Sequence, residues 1–375
     1  MIDTICLLIP KEKLEILDPA SWDVLSKSNQ YCKYVKNPTK SNIESGLYFP
    51  RLTGHKRGRF GKIEANLRIE LSLPKLLYFN NLDELEDKDF SAVIDTLRER
   101  LLAMGVVAEY SVLQNASVSS VHFSKNIQLE NGYTTNYLIS EMKKINLRKS
   151  FDFASVRYIN DGQSICAHTN VHEFIIYDKI ADLNKSKSRA IDKDQTFVQR
   201  NLFGEIKRND KMIEVLRFEI RLIKKRKMNE VLQRLGYKKN PTFKDVFNSE
   251  MSKKVVNHYW ETLIKGRNLA LFSLPLSIKD VLRTSLRGDT AMKPKQAIYL
   301  AGLFMLGRDE NGVNELRSII TKKATDRSWY RYAEELQNIG KLVTENSVRD
   351  WVTNIDQALQ DYKPYKSKKY ENEQK

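Results

Sequence analysis

The spacing of apolar residues changes once along this chain, and that change restricts the fold more than any other feature. Up to residue 222 the apolar positions recur mostly at strand period. The stretch 216–222 (LRFEIRL) puts Arg217, Glu219 and Arg221 on one face and Phe218 and Ile220 on the other. Similar strand-sized runs lie at 4–10, 62–73, 117–129, 155–161 and 171–179. Between 86 and 104, Phe90, Val93, Ile94, Leu97, Leu101 and Leu102 instead repeat at helical spacing. A polar helix is expected around 136–147, and a basic, mostly helical excursion at 180–211. That order predicts a sheet with crossover helices. From Met228 onward every segment reads as helix: 229–235, 243–265, 277–285, 294–306, 313–322 and 329–339. The predicted fold class is α+β: an antiparallel-rich sheet flanked by helices, followed by an all-helical region. Three parts are expected: 1–227 as a catalytic domain, 228–362 as a helical nucleic-acid-binding domain, and 363–375 (KPYKSKKYENEQK) as a disordered basic tail.

Charge narrows the partner. The 375 residues include 63 Lys+Arg against 47 Asp+Glu, a net charge of +16, which favours a polyanion through counterion release. Nucleic acid is the first candidate and a membrane surface the second. No apolar run approaches the ~18 residues of a membrane span, and Pro10-Lys11-Glu12-Lys13 interrupts the opening apolar run too early for a secretory signal. A cytoplasmic protein without membrane partners is expected. Cys6, Cys32 and Cys166 are isolated, which fits a reducing compartment and no structural zinc. The basic stretch 54–62 (GHKRGRFGK) lacks phosphate-loop spacing, so ATP hydrolysis is disfavoured; a basic, solvent-exposed hairpin is the simpler reading. The lack of G-x-S-x-G, paired C-x-x-C and H-E-x-x-H disfavours esterases, zinc fingers and zincins.

The charged strand faces carry the chemistry. Arg217, Glu219 and Arg221 form either a solvated ladder or a carboxylate for a divalent cation between two guanidinium groups for phosphate. On a second strand Glu173, Ile175, Tyr177 and Lys179 share a face, opposite His172, Phe174 and Ile176. Lys179 beside the Tyr177 phenol suits attack on a phosphodiester, while packing is the plainer role for a strand-end Tyr. His168 and His172 lack zinc spacing. His122 shares a face with Ser120 and Ser124, and Glu70 with Arg68 and Ser72. Glu70, His122 and Glu219 are therefore the expected metal ligands. Lys125, Arg217, Arg221, Arg327 and Arg331 are the expected DNA contacts. The last two flank Trp329 and Tyr330 in RSWYRY (327–332), a composition suited to bases or to a helical core. Lys323-Ala324-Thr325-Asp326 supplies an N-cap ahead of it, which allows a helix–turn–helix.

These blocks together resemble a family of phage and plasmid replication initiators, the filamentous-phage gene II/X type. The resemblance rests on Met1-Ile2-Asp3, LRIELSLPKLL (67–77), NASVSSVHFSKNI (115–127), HTNVHEFIIYDKIADL (168–183), LRFEIRL (216–222) and RSWYRYAEELQNIG (327–340). It implies a rolling-circle initiator that nicks one strand of origin DNA and later rejoins it, with Mg²⁺ or Mn²⁺ as cofactor. Its partners would be double- and single-stranded origin DNA and a host helicase and polymerase, in the host cytoplasm. The implied reaction is attack of a Tyr oxygen on phosphorus, leaving a 5′-phosphotyrosyl enzyme and a free 3′-hydroxyl. Relatives carry that Tyr between the YDK-like and RFE-like strands, yet residues 180–216 hold no Tyr, and Phe197 falls near the expected place. Tyr177 serves instead, or another Tyr does, or the chain is an inactive initiator that binds origin DNA as a regulator. A single-stranded RNA module is a further class.

Overall fold

In the computed structural model the described residues are 1–28, 31–39, 41–42, 46–59, 62–130, 132–145, 155–159, 163–184, 213–265, 277–287, 292–309, 312–323, 325–344 and 350–367. Alternating apolar residues make the strands β1 (Ile2–Pro10), β2 (Glu15–Ile16), β3 (Asp23–Lys27), β4 (Tyr31–Lys36), β5 (Arg51–Arg59), β6 (Lys62–Ser72), β7 (Val106–Val107), β8 (Ser117–Gln128), β9 (Ser155–Ile159), β10 (Ser164–His168), β11 (His172–Asp178) and β12 (Val215–Leu222). β2 and β7 pair with each other, and the others form one ten-stranded sheet in the order β3-β4-β5-β6-β1-β8-β12-β11-β10-β9. Every contact in that sheet is antiparallel. Antiparallel neighbours need no crossover helix. An expected crossover is nonetheless present: β6 and β8 flank β1, run parallel to each other, and are joined through the helices at Leu73–Tyr78, Phe90–Ala103 and Tyr110–Gln114.

The helices are α1 (Leu73–Tyr78), α2 (Phe90–Ala103), α3 (Tyr110–Gln114), α4 (Thr135–Lys143), α5 (Lys179–Asn184), α6 (Lys225–Arg234), α7 (Phe243–Val246), α8 (Ser249–Trp260), α9 (Ile278–Ser285), α10 (Pro294–Arg308), α11 (Gly312–Thr321), α12 (Asp326–Thr344) and α13 (Asp350–Asp361). Register gathers the apolar side chains on one side of the sheet: Ile5 faces Leu71 and Val121, Ile220 faces Phe123 and Phe174, and Ile176 faces Phe218 and Ile165. All are buried, and each is worth ~1.5–3 kcal/mol of burial. Helix α8 seals this side, with Tyr259 stacked on Phe174 and Trp260 edge-on to Phe218. His172 lies on this apolar side as expected, its Nδ1 2.8 Å from the Tyr259 hydroxyl.

The expected 227/228 boundary falls inside α6, whose Met228, Val231 and Leu232 are buried in the same core as the sheet. Helices α6, α7, α8 and α13 all pack on β8. Helices α9 to α12 pack on one another, burying Phe304, Trp329, Leu336 and Ile339; Trp329 is thus a core residue. Residues 363–367 are not the free tail expected from composition. They lie along the 80–84 loop, where Tyr365 N donates to Glu84 Oε2 at 2.9 Å, Ser367 N donates to Asp83, and Lys366 Nζ sits 4.2 Å from the Tyr78 ring centroid. Residues 368–375 lie outside the described residues. No described helix is long and apolar enough to cross a membrane.

Candidate metal and tyrosine site

Opposite the apolar side, one polar face runs across the sheet. Register aligns Tyr177 with Arg217 and Asn126, Glu219 with Ser124, and Glu173 with Arg221, which in turn faces His122. The face is not a solvated ladder, because Arg217 and Glu219 are each only 2% exposed. Buried charges survive only when paired, and here the pairing is extensive. Arg221 Nε donates to Glu219 Oε1 at 2.7 Å and Arg221 NH1 to Glu173 Oε2 at 3.1 Å. His168 Nδ1 lies 2.7 Å from Glu173 Oε1. The Tyr177 hydroxyl donates to Glu219 Oε2 at 3.0 Å.

Asp3 completes the group. Strand alternation would send it to the apolar side with Ile5, but the β1–β8 register shifts between Ile2 and Thr4. Such a bulge re-aims a side chain. Asp3 Oδ1 comes within 2.7 Å of Arg217 NH2, and Asp3, His122 and Glu219 each place a ligand atom within 4.8 Å of the others. That set, two carboxylates and an imidazole, has the chemistry of a divalent cation site. Its protonation states suit one. Burial raises the Asp3 and Glu219 carboxyls, but Arg217 with Lys179 and His122 at Asp3, and Arg221 with Arg217 and His122 at Glu219, together hold both below the usual carboxylate range. Burial lowers His122, leaving its imidazole neutral at pH 7. Asp3 Oδ1 is buried and accepts no well-angled hydrogen bond, the Arg217 contact being electrostatic, so it keeps a lone pair for a ligand.

The expected residues fare unequally. His122 and Glu219 come together. Glu70 shares their face but not their place: it pairs with Cys6 of β1 and Arg51 of β5, is exposed, and is engaged by Arg68 at 3.3 Å. From β6 to β12 there are three strand spacings, about 14 Å at ~4.8 Å each, too far to share an ion. Asp3 stands where Glu70 was expected.

Two expected DNA contacts are also displaced. Lys125 lies opposite Phe218 on the apolar side, is buried, and pairs with Glu84 at 2.6 Å. Arg217 is enclosed by Asp3, Ser124 Oγ at 3.0 Å and the Asn81 carbonyl at 3.0 Å. Neither reaches a backbone phosphate, because both spend their charge inside the protein. Arg221 is partly exposed, while Arg327 and Arg331 are exposed on α12. Phe197 lies outside the described residues.

Tyr177 and Lys179 adjoin. Lys179 opens α5 rather than ending β11, and its Nζ lies 5.8 Å from the Tyr177 ring centroid. That Nζ is wholly buried and has no hydrogen-bond partner among the described residues. Burial, then Arg217, lowers the ammonium to about 7. Burial pushes the Tyr177 phenol well above 10, so it stays neutral as a donor to Glu219 rather than being a standing phenolate. Compared with family models, curated proteins and solved structures, the chain finds no match.

Proposed function

We propose that this chain starts rolling-circle replication by nicking one strand of origin DNA through Tyr177 and later rejoining it. One observation carries the reading: the Tyr177 hydroxyl lies 3.0 Å from Glu219, itself grouped with Asp3 and His122 as a cation site. Those three residues would hold Mg²⁺ or Mn²⁺, which when bound polarises a phosphodiester and balances charge developing on its oxygens. Glu219 orients the hydroxyl. The Tyr177 oxygen forms a bond to phosphorus as the bond to the 3′-oxygen breaks, and the phenol proton goes to the neutral form of Lys179, which at about 7 is well populated near neutrality. The 3′-oxygen takes a proton from water and leaves as the primer hydroxyl. One phosphodiester replaces another, so rejoining needs no nucleoside triphosphate. Unwinding falls to a host helicase, in keeping with the missing phosphate loop.

The test is supercoiled DNA bearing the chain's own origin, incubated with Mg²⁺ or Mn²⁺. Open circles with protein joined to the 5′ end are expected, and Tyr177→Phe should abolish both while leaving DNA binding intact. Unchanged nicking by Tyr177→Phe rejects that nucleophile. A second reading, an inactive initiator that binds origin DNA as a regulator, is favoured by the balance of charge within the site. Glu219 already accepts from Arg221 and Tyr177. That reading expects salt-sensitive binding and no nick with either metal.

A further inference from the structure

The sheet's polar face does not stop at the proposed site. Register continues it from Arg221 opposite His122, through Ser120 and Cys6, to Arg68 and Thr53 and then to His55, Lys33, Arg57 and Tyr31. From β12 to β4 this spans five strand spacings, about 24 Å at ~4.8 Å each. Its far end has a distinct composition. On this face β4 and β5 carry Lys33, Arg51 and Arg57 and no Asp or Glu. β6 adds Arg68 and two acids, Glu64 opposite Arg57 and Glu70, which Arg68 engages.

Aromatic rings sit among those cations in a fixed arrangement. The Tyr31 hydroxyl lies 3.0 Å from His55 Nδ1, the two ring centroids are 6.1 Å apart, and the Arg57 guanidinium stands 5.1 Å from the Tyr31 centroid. None of the four side chains Tyr31, Lys33, His55 and Arg57 is buried. A guanidinium held over a ring, next to an imidazole and an ammonium, forms a platform ordered before any ligand arrives. Bases reach such a platform only when unstacked from a duplex, and their phosphates then meet the cations around it.

We propose that β4, β5 and β6 form a track for single-stranded DNA, with phosphates at Lys33, Arg57 and Arg68 and a base against the Tyr31–His55 pair. Placing the scissile phosphate at the other end of this track rests on the reading of Tyr177 above; the track itself requires only the strand. It gives the displaced or cleaved strand a surface independent of the chemistry.

The probe is a fluorescent 20-nucleotide oligothymidylate, its anisotropy followed with the full chain across a salt series. The wild type should bind with strong salt dependence. The variant Lys33→Gln/Arg57→Gln, altered only outside the core, should bind at least tenfold more weakly, its log–log salt slope shallower by about 1.4, from ~0.7 per phosphate on a single strand. Tyr31→Ala should lose affinity with an unchanged slope. Absence of binding by the wild type, or a double variant matching it in affinity and slope, overturns the track. Tighter binding of oligouridylate or of a duplex overturns the assignment to single-stranded DNA. Failure of the nicking reading looks different: no cleavage by any form, with binding that still responds to Lys33 and Arg57.

Discussion

Lys179 is the residue whose environment most departs from its chemistry. Its ammonium is buried with no hydrogen-bond partner among the described residues, and burial followed by Arg217 brings it from 10.5 to about 7. The unfolded chain keeps this proton up to its ordinary value. Between about 7 and 10.5 the unfolded state therefore binds more protons, and stability rises with pH by at most ~1.4 kcal/mol per unit. Lys179→Met removes that dependence. In chelator, its urea midpoint should exceed the wild type's at pH 7, with the gap narrowing by pH 9.5; an equal gap at both values would show that packing, not charge, sets the difference. Tyr177 stands at the same scale. Its phenol is raised by burial while its hydroxyl is held by Glu219, which makes it a positioned group that needs a proton acceptor at the moment of attack.

Among elements, the junction between α4 and α11 joins the helical stack to the sheet layer. Val313 N donates to the Lys144 carbonyl at 3.2 Å, and Gly312 before it has φ +58. A Cβ at Gly312 would meet Lys144 Cβ at 2.6 Å and its Cα at 3.0 Å. Both the left-handed backbone and the contact argue for glycine here. Gly312→Ala should destabilise by more than about 1 kcal/mol, read as a lower denaturant midpoint, with protease cutting enhanced around α11 and not in β8 or β12. Equal cleavage throughout would place the junction inside one cooperative unit. The β1 bulge is the other decisive element. One unpaired residue turns Asp3 from the apolar side to the polar one and so supplies the third ligand.

Across the whole molecule, the 363–367 segment closes a circuit from the C-terminal helix to the back of the site. Lys125 Nζ donates to Glu84 at 2.6 Å and to the Lys363 carbonyl at 2.5 Å, while Asn126, beside Arg217, takes its backbone partner from Glu84 at 2.6 Å. Removing residues 363–375 should cost about 2 kcal/mol or more, since several buried polar groups lose partners together. The loss should show as a lower denaturant midpoint at pH 7. Burial raises the Glu84 carboxyl, but Lys125, the N-terminal ammonium and the Tyr365 N–H together leave it below its ordinary value. A depressed carboxyl contributes stability above its unfolded value of 4.5 and loses it as pH falls through the folded value. Glu84→Gln should therefore lose stability at pH 7 and match the wild type progressively better in acid.

Which side chains share a face was legible in the amino-acid order, because alternation is a local property of an extended backbone. Arg217, Glu219 and Arg221 on one side, Glu173 and Tyr177 on one side, and His122 with Ser124 all follow from it. So did the antiparallel-rich sheet followed by helices. Strand order did not, since β1 enters between β6 and β8 through pairing distant in sequence, and that insertion separates Glu70 from His122. Nor did the bulge that recruits Asp3, or the ion pairs that bury Lys125 and Arg217. Each of these depends on register and on partners distant in sequence, such as Glu84 for Lys125, 41 residues away, and Asp3 for Arg217. Local periodicity decides what a strand can present; only long-range pairing decides what stands next to it.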